Sequence, residues 1–145
     1  KFKIEDYKRI HPAGSLGISM IQVKDVMHKG NKMPLVKENS KMNTSIIEMS
    51  RKSFGVVGVK NNKGKLIGII TDGDLRRNIK KNFLELSAKE MMTAKPKLIE
   101  ADALMSNALK IMNKSKITCL FVVGNKLKTK PIGIIHIHDC LRFIN

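Results

Sequence analysis

Gly68-Ile69-Ile70-Thr71-Asp72-Gly73-Asp74-Leu75 decides how the chain is read. Three apolar residues run out into a hydroxyl, a carboxylate, a glycine and a second carboxylate, then into an apolar residue and the basic pair Arg76-Arg77. This is a buried strand that ends in a helix start, because acids favour the first helical turn and bases the last. A second, altered copy stands further on as Gly133-Ile134-Ile135-His136-Ile137-His138-Asp139-Cys140-Leu141. Asp74 and Asp139 stand 65 positions apart, so most of the chain is one unit used twice.

Working outward, each copy has the same order of pieces. In the first, Lys24-Asp25-Val26-Met27 predicts a single helical turn and Pro34-Leu35-Val36 a short strand. Residues 42–52 predict a helix capped by Ser40 or Asn43. Phe54–Val59 predicts a buried strand and Asn61-Asn62-Lys63-Gly64 a hairpin turn, since Asn and Gly tolerate positive φ. Residues 65–71 return, and a helix follows to about residue 79. The second copy opens with Lys89-Glu90-Met91-Met92, again offset by 65. It continues with a short strand at 96–99, a helix capped by Asp102, strands at 117–123 and 131–137, and a final helix over 139–144. The expected class is α+β. Each repeat exposes one face of a small sheet, so the two are expected to pack against each other with pseudo-twofold symmetry. The expected divisions are a linker or remnant of a preceding domain over 1–22, one repeat over 23–82 and one over 83–145.

Composition bounds the partners. With 145 residues and 42% hydrophobic content the chain can bury a core, and no apolar run reaches the length of a membrane span. The start, Lys1-Phe2-Lys3-Ile4-Glu5-Asp6, is charged where a signal peptide is apolar and has no initiating Met. The reading is a piece of a longer cytoplasmic protein. The two cysteines, Cys119 and Cys140, match no zinc or redox spacing. A formal charge of +16 attracts anions generally. It argues less for nucleic acid, because the lysines are spread evenly, arginine is scarce, and one Tyr with no Trp offers poor stacking.

The two repeats, with their Asp-Val-Met opening and Gly-apolar-apolar-Thr-x-x-Asp ending, resemble the cystathionine-β-synthase-type (CBS) regulatory repeat. That resemblance implies a pair that binds an adenosyl ligand in the cleft between repeats. Ahead of the pair, His11-Pro12-Ala13-Gly14-Ser15-Leu16-Gly17 resembles the junction in arabinose-5-phosphate isomerases, where a sugar-isomerase domain comes first. It implies a parent that interconverts ribulose 5-phosphate and arabinose 5-phosphate on the route to the Kdo sugar of lipopolysaccharide. It also implies a catalytic role for His11 in the full-length parent alone. By pathway logic CMP-Kdo is an appealing feedback ligand. No cofactor is required, and the expected partners are a small anionic nucleotide or nucleotide-sugar and further copies of the chain.

At the first strand end, the Thr71 hydroxyl can bond a phosphate, Asp74 can accept from two ribose hydroxyls, and Arg76 can pair with phosphate. Equally, Thr71 and Asp74 can form an ordinary helix cap. At the second, His136 replaces Thr71 and Asp139 keeps the acid. His136, His138 and Asp139 could suggest a metal site, but no fourth ligand is nearby and the helix starts there, so a modified ligand corner is the better reading. Two other readings remain: a purely structural dimerisation module, and the same pair attached to a different enzyme or a transporter.

Overall fold

The architecture comes from a computed structural model, which describes residues 15–144; His11 lies outside the described residues. After a helix α1 (Ser15–Ser19), the described residues form two compact units, each with its own small sheet and core.

One unit holds Gly30–Lys97 together with Thr129–Pro131. Its sheet runs β1 (Leu35–Lys37), β2 (Val56–Lys60), β3 (Leu66–Thr71), β4 (Thr93–Ala94), with β1 parallel to β2 and the other pairs antiparallel. Val56–Val59 of β2 are all buried, as a central strand with continuous apolar residues requires. β3 alternates buried and half-buried positions, the period of a strand with one covered face. Helix α2 (Val23–Val26) comes earlier in the chain and belongs to the other unit; here α3 (Met42–Lys52) precedes the β2–β3 hairpin, and α4 (Asp72–Arg77) and α5 (Ala88–Met91) follow it. Met42, Met49, Val57, Val59 and Ile70 are the centre of this core. In the hairpin, Gly64 takes φ +78° while Asn61 Oδ1 accepts from the Lys63 and Lys65 amides, as the turn chemistry predicted.

The other unit holds described residues 15–29 with Leu98–Lys128 and residues 132–144. Its sheet runs β5 (Leu98–Glu100), β6 (Cys119–Val123), β7 (Pro131–His136). Helices α6 (Met105–Ser115) and α7 (Ile137–Leu141) complete it, together with α2. Val23, Met105, Met112, Val122 and Ile135 lie at the centre of this core.

The sequence period and the compact units therefore divide the chain differently. The opening of the first repeat, α2 and His28, is built into the unit of the second, where His28 and Ile134 exchange backbone hydrogen bonds of 2.8 and 2.9 Å. The opening of the second, α5 and β4, is built into the unit of the first, with Gly68 opposite Ala94 and Ile69 opposite Thr93. Gly68 and Gly133 allow this close approach. A Cβ on Gly68 would lie 2.7 Å from Met92 Cγ and 2.9 Å from Thr93 O. On Gly133 it would lie 2.6 Å from Met27 Sδ and 3.0 Å from His28 O.

Three local expectations are corrected. Neither Ser40 nor Asn43 caps α3: its cap position is Lys41, with no side-chain bond. Asp102 does not cap α6, whose cap position is Leu104; its carboxylate instead takes Lys24 Nζ at 3.0 Å and Asn125 Nδ2 at 2.7 Å. The final helix begins at Ile137, so His136 closes the strand and His138 lies within the helix.

Candidate functional site

The strand-to-helix corner after β3 is built by a reciprocal cap. The Asp74 amide donates to Thr71 Oγ1 at 3.2 Å, and the Thr71 amide donates to Asp74 Oδ2 at 2.9 Å. Thr71 suits this place because its hydroxyl accepts from the third helical residue while its own backbone stays extended. Asp74 is only 6% exposed. Its other oxygen accepts from Arg77 Nη2 at 2.8 Å and from Thr93 Oγ1 at 3.3 Å. The carboxylate is thus held on both oxygens inside its unit, and Oδ1 is shared between two donors. Arg76 is exposed and is not brought to Asp74; Arg77, one helical turn on, takes that place.

The corner after β7 follows the same plan with different chemistry. The His136 amide donates to Asp139 Oδ2 at 2.8 Å, and the His138 amide donates to His136 Nδ1 at 3.0 Å. A ring nitrogen that accepts carries no proton, so the neutral His136 ring is protonated at Nε2. The His136 and His138 rings stack with centroids 4.8 Å apart. His28 Nε2 lies 3.0 and 3.1 Å from the two oxygens of Asp139. Burial, and then the neighbouring His138, lower the pKa of His136 below the ordinary imidazole value; Asp139 opposes them and His28 adds to the lowering. Two thiols sit beside this corner. Burial, reinforced by the Asp139 charge, pushes Cys140 up to about 11. Burial pushes Cys119 up to about 12, with a contact to Thr118 working against it and Asp139 adding to it. Both stay protonated at neutral pH and are poor nucleophiles.

The predicted residues thus fall into two groups: Thr71 with Asp74, and His136 with His138 and Asp139. Sequence reading missed Arg77, Thr93 and His28. Arg77 was visible as the basic residue three after Asp74. Thr93 and His28 stand 65 positions apart, the offset that relates Asp74 to Asp139. Among the described residues no three His, Cys, Asp or Glu side chains are placed to hold a metal ion, and no helix is long and apolar enough to cross a membrane. An open cavity of about 520 Å³ lies along β5 and α6, walled by Leu98, Ala103, Asn107, Lys110 and Ile111 among others; it includes no residue of either corner.

The model of the CBS domain family matches residues 23–81 and 88–145. An uncharacterized protein of Rickettsia prowazekii is 39% identical across 97% of this chain and 43% of its own length. The arabinose 5-phosphate isomerase KdsD of Pseudomonas aeruginosa is 38% identical across 97% of this chain and 44% of its own. That of Francisella tularensis is 37% identical across 97% and 43%. The chain spans less than half the length of these curated relatives. Among solved structures, the CBS domain of a bacterial CNNM/CorC family Mg2+ transporter in complex with ATP superposes with a TM-score of 0.74 at 14% identity, covering 89% of this chain and 90% of that one. CBSX2 in complex with AMP superposes with a TM-score of 0.72 at 20% identity, covering 86% and 96%.

Proposed function

The chain belongs to the CBS domain family as a pair of repeats, and from that premise we propose that it is the regulatory module of an arabinose-5-phosphate isomerase. The module binds an adenosine nucleotide or a nucleotide-sugar at its strand-to-helix corners and biases the activity or assembly of the parent. The observation that carries the reading is the alignment of isomerases from separate bacteria over 97% of the chain at 37–38% identity. Support for the ligand class comes from the corners themselves and from the complexes of the fold relatives with ATP and AMP.

On this reading Asp74 Oδ1, now shared by Arg77 and Thr93, is the acceptor for ribose hydroxyls, and Arg77 is the group that turns to a phosphate. Arg77 is the exposed partner of a buried carboxylate, so it turns away only as ribose hydroxyls take its place on Oδ1. Arg76, exposed one residue earlier, is the second cation within reach. CMP-Kdo is the finer choice of ligand, as the end product of the pathway that the parent opens. The parent is cytoplasmic, assembles as a homo-oligomer through the pair, and uses His11 in its own active site.

A thermal-shift panel of AMP, ATP, S-adenosylmethionine and CMP-Kdo tests the ligand class. A ligand at a hundred times its dissociation constant stabilises the fold by about 2.7 kcal/mol. Asp74→Asn is expected to weaken the responding ligand in calorimetry while the protein stays folded. A flat panel, or unchanged affinity in folded Asp74→Asn, overturns the corner assignment. Assay of the full-length isomerase with and without the responding ligand then reads the sign of regulation.

A further inference from the structure

Three imidazoles gather around one carboxylate at the second corner, where the first corner has none. His28 lies against both oxygens of Asp139 at 3.0 and 3.1 Å. His136 donates its amide to the same carboxylate at 2.8 Å and stacks its ring on His138 at 4.8 Å. The equivalent places around Asp74 hold Thr93, Thr71 and Gly73, and none of these titrates near neutral pH. His28 sits far from the neighbouring pair His136 and His138 in the sequence, yet all three change toward the same chemistry. Helix capping does not call for it, since Thr71 caps the first corner without an imidazole.

We propose that the Asp139 corner is a proton-coupled site for the phosphate group of the ligand, held by the His136 and His138 imidazoles, whereas the Asp74 corner binds without proton uptake. This rests on the reading that the corners take nucleotide-like ligands. The argument is electrostatic. A phosphate entering here meets Asp139, a carboxylate 8% exposed, and two like charges in a site of low dielectric repel strongly. The charged and titratable groups facing the cluster are His28 from the exit of α2, His136 from the end of β7, and Cys119 from β6. His138, Asp139 and Cys140 come from α7, and Arg142 follows it. The thiols stay neutral, and Arg142 stacks on the Phe143 ring with its guanidinium carbon 5.5 Å from the centroid. Positive charge at the imidazoles therefore has to come from protons. The observed arrangement is the proton-poor one, with His136 Nδ1 accepting from the His138 amide. An incoming phosphate raises the proton affinity of the rings, so ligand and protons bind together, and by linkage each strengthens the other.

Calorimetry of AMP binding at pH 7, in two buffers of different ionisation enthalpy, counts the protons taken up. The same titration is run with adenosine, with inorganic phosphate, and on the His136→Thr/His138→Gly variant, which carries the residues of the other corner. Thr is a good cap, so the variant keeps its helix start. The phosphate itself ionises near pH 6, and the imidazole ring signals in the NMR spectrum separate its protons from those of the histidines. Expected are net proton uptake with AMP and none with adenosine. Affinity should rise up to about tenfold per proton between pH 7.5 and 6.5, and the variant should lose that rise. In the NMR spectrum the His136 and His138 ring signals should move to protonated positions on AMP addition. AMP binding with no proton uptake and the same pH profile in the variant overturns this inference and leaves the proposed function standing. Proton-coupled binding of inorganic phosphate without nucleotide binding supports this inference and overturns the nucleotide reading. No binding of AMP or phosphate at any pH overturns this inference, and a panel that is flat for ATP, S-adenosylmethionine and CMP-Kdo as well overturns the nucleotide reading too.

Discussion

Gly68→Ala is expected to destabilise the protein, although the same change is often stabilising. Removing glycine from a compatible position gains about 0.4–1 kcal/mol by restricting the unfolded chain. At Gly68 that gain meets a hard obstacle. The new methyl would lie 2.7 Å from Met92 Cγ and 2.9 Å from the backbone oxygen of Thr93. The methionine can swing away, because its side chain is flexible. The Thr93 oxygen cannot easily follow, because β4 is a two-residue strand held against Gly68 and Ile69. Overpacking of this kind costs about 1–3 kcal/mol; with a backbone oxygen as the obstacle the upper part of that range applies, so the net loss is about 2 kcal/mol and the midpoint falls by about 4–8 °C for a chain this size. Gly124→Ala is the control: its methyl meets only Ile132 Cδ1 at 3.9 Å, an ordinary contact, and stability should hold or rise. Urea unfolding followed by circular dichroism at pH 7.5 reads both. A Gly68→Ala protein as stable as the parent would refute the claim that close packing of β4 on β3 requires this glycine.

Other outcomes follow from single positions. Met112 is fully buried, so Met112→Ala should cost about 2–5 kcal/mol, read as a lower urea midpoint at unchanged slope. The folded-state pKa of His136 is lowered, so the unfolded chain binds more protons and stability falls as pH drops below about 6.5; His136→Thr should flatten that fall between pH 7.5 and 5.5, and parallel curves for the two proteins would count against it. With thiols pushed up to about 11 and about 12, Cys140 and Cys119 should react with iodoacetamide at pH 7.5 far more slowly than free cysteine, and mass spectrometry of the native protein checks this.

The local chemistry of strands, turns and the Thr71–Asp74 cap was legible, and the caps of the two long helices α3 and α6 were not. The Asn61–Gly64 turn, the buried Val56–Val59 run and the corner after Thr71 follow from neighbouring residues alone. Asn43 and Asp102 looked like caps because short polar side chains commonly serve that role. Here the entering amides are satisfied from far along the chain. The Met42 amide donates to Leu86 O and the Met105 amide to Ile21 O, each at 2.9 Å. Backbone carbonyls carry no residue signature, so no local pattern announces them. Asp102 is then left to pair with Lys24 and Asn125. His28 was missed for the same reason: its contact to Asp139 spans 111 positions.

The spacing of the repeats explains why those distant contacts recur in both units. Asp74 and Asp139, the return strands and the two openings all keep an offset of 65, but Leu35 and Leu98, which begin β1 and β5, stand only 63 apart. The first repeat has two more residues between its opening and its first strand, where Gly30–Lys32 forms a 3-10 turn, and two fewer in its hairpin. The pieces that share the larger offset are those that touch within a unit: Gly68 with Met92 and Thr93, Gly133 with Met27 and His28. Each candidate corner is therefore composite. Its acid and cap come from one repeat, and the group on its carboxylate, Thr93 or His28, comes from the opening of the other. A substitution in either opening reaches the opposite corner directly, His28 acting on Asp139 and Thr93 on Asp74.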